Sequence, residues 1–158
     1  MEGLVLARTV HVLGVVLWIG GVALVTTVLL PALRRLPVHD NPVALFERIE
    51  NRFARQARVI TLITGLSGFY MLWATNGWAR YLRLESWWLH AMTFVWLLFS
   101  LVLFVLEPVI LRRRLHERAR RDPEGVLSLL QRAHWVLLSI SLLTLAGAVA
   151  GSHGWIWF

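Results

Sequence analysis

Four long stretches of this chain contain no aspartate, glutamate, lysine or arginine. They are Thr9–Leu33, Val59–Ala79, Ser86–Leu106 and Ala133–Phe158, of 25, 21, 21 and 26 residues. A helix of about 20 residues crosses about 30 Å of hydrocarbon. Backbone groups in lipid must be bonded within their own segment, so each stretch reads as a transmembrane helix. The expected fold is an all-α integral membrane protein: a single-domain four-transmembrane-helix bundle with helices over about 4–33, 43–79, 86–110 and 124–154. Composition agrees, with 58% hydrophobic and 16% charged residues, against about 45–50% and about 25% in soluble domains. The first stretch is expected to stay in the protein. It is long, follows Glu2 and runs into Pro31, Arg34 and Arg35 without a small-residue cleavage site.

Charge sets the expected orientation. The net charge is +7 and every basic residue is arginine. Thirteen of the sixteen arginines fall in two segments, six within 34–58 and seven within 107–132, leaving Arg8, Arg80 and Arg83 elsewhere. By the positive-inside rule those two segments are cytoplasmic, and both termini lie outside a bacterial-type inner membrane. Juxtamembrane arginines favour anionic lipid over nucleic acid. The absence of cysteine excludes disulfides, thiolate metal sites and iron–sulfur clusters. The absence of lysine excludes Schiff-base chemistry.

Between the spans, Asp40-Asn41-Pro42 is a helix start, with Asp40 or Asn41 as cap. Leu45, Phe46, Ile49 and Phe53 then recur at helical spacing, which predicts a second helix extended beyond the membrane. Asp122-Pro123-Glu124 starts an extended fourth helix in the same way. No convincing internal repeat stands out.

Ionisable side chains inside a membrane are expensive and mark function by default. In the spans these are His11, His90, His134 and His153, whereas His39 and His116 fall in the loops. In the expected topology His11, His90 and His153 share the outer half of the membrane and His134 lies at the inner boundary. On the third span His90, Thr93, Ser100 and Glu107 form one polar stripe. On the first, His11, Gly14, Trp18 and Gly21 share a face whose small residues permit close approach. Thr61, Thr64, Gly65 and Gly68 make a similar face on the second, and Ser141, Thr144, Ala148 and Gly151 on the fourth.

Two imidazoles from different helices at one depth are what a haem b iron takes as axial ligands. His11 and His90 are the expected pair, with His153 as substitute. Gly14, Gly21, Gly65 and Gly68 would leave a slot for the porphyrin, and Trp18 would wall it. Arg8, one turn outward of His11, is the expected propionate anchor, ahead of Arg80 and Arg83. The same three outer histidines could instead bind copper or zinc. Trp78, Trp87, Trp88, Trp155 and Trp157 are expected in an interfacial aromatic belt, and Trp73 and Trp96 facing lipid or packed.

The first span, Ala7 to Gly21, carries a His-x6-Trp-x-Gly-Gly pattern at His11, Trp18, Gly20 and Gly21. It resembles the opening helix of HemJ-type and CopD-type membrane proteins. Phe46-Glu47-Arg48 with Arg52, Arg55 and Thr64-Gly65-Leu66 is similar to the HemJ entry to its second helix, and Trp88-Leu89-His90-Ala91-Met92 to its third. The likeness covers most of residues 7–107. It implies a small haem b membrane protein with His11 at the family's essential histidine. It also implies either protoporphyrinogen IX oxidation, as in HemJ, or copper handling, as in CopD-like members. The HemJ pattern has a lysine where this chain has Met92, a thioether and so an alternative ligand. Met92 lies about 200° from His90 around the helix, so the two cannot face one centre. The expected function is therefore a haem b protein in electron transfer or redox chemistry, in effect a membrane haem oxidoreductase. Copper binding and a lysine-less HemJ-like oxidase are the alternatives. Its expected partners are the lipid bilayer, a quinone or other redox partner, and a second copy of the chain.

Overall fold

Every regular element of the computed structural model, which describes residues 1–37 and 42–155, is helical. Four helices are long and apolar enough to cross a membrane. Helix α1 is Glu2–Leu33 and α2 is Pro42–Ala74. Helix α3 is Trp87–Leu101, continued by a wider-wound stretch at Val102–Leu111. The short α4, Arg112–Ala119, leads to α5, Pro123–Ser152. Helix α1 packs chiefly on α2 and α3 on α5, and contacts of α1 with α5 and α2 with α3 close the bundle. One end of the bundle carries the arginine-rich connections and the other carries the start of α1 and the end of α5.

Large apolar side chains remain exposed around the outside, among them Val12, Val16, Leu66, Phe94 and Leu143. In water such a surface would be a liability, and in lipid it is the matching solvent. Inside are two apolar clusters. One, at the arginine end, joins Leu30 and Leu33 of α1, Val43 and Phe46 of α2, and Val126 and Leu127 of α5. The other, mid-bundle, joins Trp18 and Val22 of α1, Val95 and Phe99 of α3, and Leu138 of α5.

The extended starts of α2 and α5 are both present. Asp122 caps α5 by accepting the Gly125 N–H at 2.8 Å, with Pro123 in the first turn. The cap expected at Asp40 or Asn41 lies outside the described residues. Helix α2 ends at Ala74, short of the expected 79. Asn76 turns into the left-handed region at φ 48° and breaks the helix. The chain then returns to α3 through two tight 3-10 turns, Gly77–Leu82 and Leu84–Ser86.

Two prolines lie inside the spans, and each removes a backbone donor. Around Pro31 the helix widens over Val25–Leu29, so that the Leu30 N–H bonds five residues back to Val25. In that register the N–H at position 31 would bond the Thr26 carbonyl, and proline has none. Gln131 of α5 supplies the missing donor, its Nε2 lying 2.7 Å from that carbonyl. Pro108 lies in the second wide stretch and orphans the Leu103 carbonyl by the same rule. Arg58 of α2 donates from Nε at 2.8 Å. Each half of the chain thus contributes a proline-widened helix and a polar side chain that completes the other half's helix.

Candidate functional site

The α1–α2 seam is built on glycine. A methyl group at Gly14 would meet Thr64 Oγ1 at 2.3 Å, and one at Gly21 would meet the Phe53 ring at the same distance. Only bare backbone lets these helices approach so closely. Thr64, Gly65 and Ser67 of α2 are buried, as are Gly14 and Trp18 of α1.

His11 is set into this seam. Its Nδ1 lies 2.8 Å from the Thr64 carbonyl and 3.3 Å from Ser67 Oγ. A carbonyl only accepts, so Nδ1 carries the proton, and the neutral ring keeps its lone pair on Nε2. The ring rests on Gly68, where a Cβ would stand 3.2 Å from its Cε1. Residues 64 and 67–68 therefore hold the imidazole along its Nδ1–Cε1 edge. A metal-binding histidine is commonly oriented in this way, with the second ring nitrogen bonded to a carbonyl. Trp18, two turns along the same face, is 5% exposed and packs edge-on against Phe99 with centroids 4.8 Å apart. Its indole N–H is buried and has no acceptor among the described residues.

His90 lies elsewhere. It is exposed near the start of α3, and its ring lies T-shaped to that of Tyr81 with centroids 5.2 Å apart. Tyr81 in turn bonds Thr93 Oγ1 at 2.7 Å and stacks on Trp78, which stacks on Phe69. Among the described residues His11 bonds Thr64 and Ser67, and His90 meets Tyr81, with no hydrogen bond or ring contact between the two histidines. The predicted polar stripe of α3 faces inward at Thr93, Ser100 and Glu107, all partly buried, but not at His90. His153 is exposed at the end of α5 and donates from Nδ1 to its own helix at the Val149 carbonyl, 2.8 Å away. His134 does likewise to Leu130 at 2.9 Å. Arg8 is exposed and Met92 partly buried. Among the described residues no three His, Asp or Glu side chains cluster as a metal site.

The slot expected between the glycines is filled by the protein's own side chains. Thr64 occupies the space at Gly14, Phe53 that at Gly21, Trp96 that at Gly65 and His11 that at Gly68. Trp96 is fixed there by its Nε1, which donates to the Thr61 carbonyl at 2.9 Å. Trp87 and Trp88, expected in an interfacial belt, are partly exposed and pack onto Gly147 and Gly151 of α5. Trp73 and Trp78 are exposed. The residues present thus offer one oriented imidazole donor, His11 Nε2, but the space between these glycines does not fit a macrocycle and no second histidine faces His11 there.

Sequence reasoning missed a second polar locus. Arg58, counted only among the orienting arginines of segment 34–58, reaches from α2 to pair with Glu107 of α3 as well as with the Leu103 carbonyl. A cleft of about 240 Å³ opens beside this pair, lined by Asn51, Ala54, Arg55, Arg58 and Glu107. The signal was Pro108, since a proline inside a membrane helix demands an outside donor for the carbonyl it orphans. Comparison with family models, curated proteins and solved structures returned no match.

Proposed function

We propose that this chain is a haem b-binding membrane protein that passes electrons, with His11 as an axial ligand. The observation that carries the reading is the Thr64 carbonyl on His11 Nδ1, which leaves Nε2 as the free donor of an imidazole held inside a membrane span. His90 is the proposed second ligand, and ligation by it requires its ring to turn away from Tyr81. His153 is the substitute, and Arg8 the propionate anchor. Bound haem would supply one-electron redox chemistry, which no side chain of this cysteine-free chain offers at ordinary potentials. What the chain itself contributes is orientation of the ligand, through Thr64, Ser67 and Gly68, and exclusion of water by the apolar bundle.

The arginine end faces the cytoplasm in this reading, with both termini outside a bacterial-type inner membrane. The haem would lie on the outer side of the bundle, where a membrane quinone or another small redox partner would exchange electrons with it. The test is the visible spectrum of detergent-purified protein, made with ample haem, before and after dithionite. A Soret band that shifts on reduction is expected. Protein without a Soret band would overturn the reading, and stoichiometric copper in its place would favour the copper alternative.

A further inference from the structure

The two proline-widened helices perform one structural task with different chemistry. At Thr26 the orphaned carbonyl is completed by Gln131, a neutral amide. At Leu103 it is completed by Arg58, whose charge is then balanced by Glu107. Gln131 shows that the backbone needs no charge for this bond. A guanidinium–carboxylate pair within the bundle carries a desolvation cost that the amide avoids. Arg58 therefore has chemistry in excess of its structural duty.

The surroundings say what the excess is for. The cleft beside the pair contains two arginines against one glutamate, so its walls favour an anion. Ala54, small and buried, makes the room. Sites for drug-sized ligands run about 300–1,000 Å³, so a cleft of about 240 Å³ takes a single small anionic group. Planar guanidinium groups match phosphate by paired hydrogen bonds. We propose that this cleft binds one phosphate group, held by the guanidinium groups of Arg55 and Arg58, with Glu107 fixing the orientation of Arg58. The phosphate belongs either to a lipid headgroup at the membrane boundary or to a free anion. The site is independent of the haem reading.

The experiment is native mass spectrometry of the full chain in detergent, titrated with phosphatidylglycerol, with phosphatidylcholine in parallel. Arg55→Gln and Arg58→Gln are compared with Arg34→Gln, which removes an arginine outside the cleft. Glutamine at 58 keeps an amide donor for Leu103, as Gln131 does for Thr26, and unfolding curves check that the variant folds. Arg55 is exposed, so its variant keeps the test decisive if the other does not fold. Phosphatidylglycerol affinity is expected to fall about tenfold or more in each cleft variant and to change less than about twofold in Arg34→Gln. Competition by inorganic phosphate would assign the site to a free anion, and its absence to a lipid headgroup. Equal loss in all three variants, or none in the cleft variants, would overturn the proposal.

Discussion

If Gln131 is present to complete the carbonyl that Pro31 orphans, its value must vanish when residue 31 regains an N–H. The perturbation is a double-mutant cycle on Pro31→Ala and Gln131→Leu. In the parent, Gln131→Leu removes the 2.7 Å bond to Thr26 and strands that carbonyl in an apolar interior beside Leu30, which is 0% exposed. Leaving such a group unsatisfied costs about 1–3 kcal/mol. With alanine at 31, the helix has its own donor for this turn and the penalty disappears. Gln131 also buries an Oε1 that has no partner among the described residues. That contribution is the same in both backgrounds and cancels in the cycle. The expected coupling is therefore about 2 kcal/mol, read from reversible unfolding in mixed micelles with increasing dodecyl sulfate. Additivity within about 0.5 kcal/mol would refute the reasoning, because it would make the Gln131 bond incidental to the proline.

Other expectations follow from the same geometry. Gly14→Ala should destabilise by about 1–3 kcal/mol as its methyl forces α1 from Thr64, whereas Gly20→Ala, which meets nothing within 4 Å, should leave the unfolding midpoint unmoved or slightly raised. Asp122→Ala should cost about 1 kcal/mol through loss of the Gly125 cap, checked by the same unfolding assay. Trp96→Phe should cost about 1 kcal/mol for the bond to Thr61 and raise hydrogen exchange at the α2–α3 contact.

The spans were legible because hydrocarbon imposes a length and an exclusion of charge, and the Asp122 cap because its chemistry is local. Which side of each helix faces inward was harder. In a soluble helix the apolar stripe marks the core, but here the outer face is apolar too. The sequence alone did not tell that Trp87 and Trp88, partly exposed, pack onto Gly147 and Gly151. His90 shared a stripe with Ser100 and Glu107, yet it lies in the first turn, where the loop residue Tyr81 determines its surroundings. The His11 face was readable from its glycines, but their filling was not. A glycine marks only a close approach, and whether a cofactor or a neighbour's ring makes it depends on the partner helix. Arg58 and Gln131 lie in the arginine-rich segments between the spans, and the prolines they serve lie 50 residues after the one and 100 before the other. Such pairings are set by three-dimensional packing alone.

The central claim is that His11 offers Nε2 to iron, and His11→Gly tests it most directly. The visible spectrum of the purified variant should lack the parent Soret band, and added imidazole should restore it by occupying the vacated space above Gly68. A haem spectrum identical to the parent's in His11→Gly without imidazole would contradict the account.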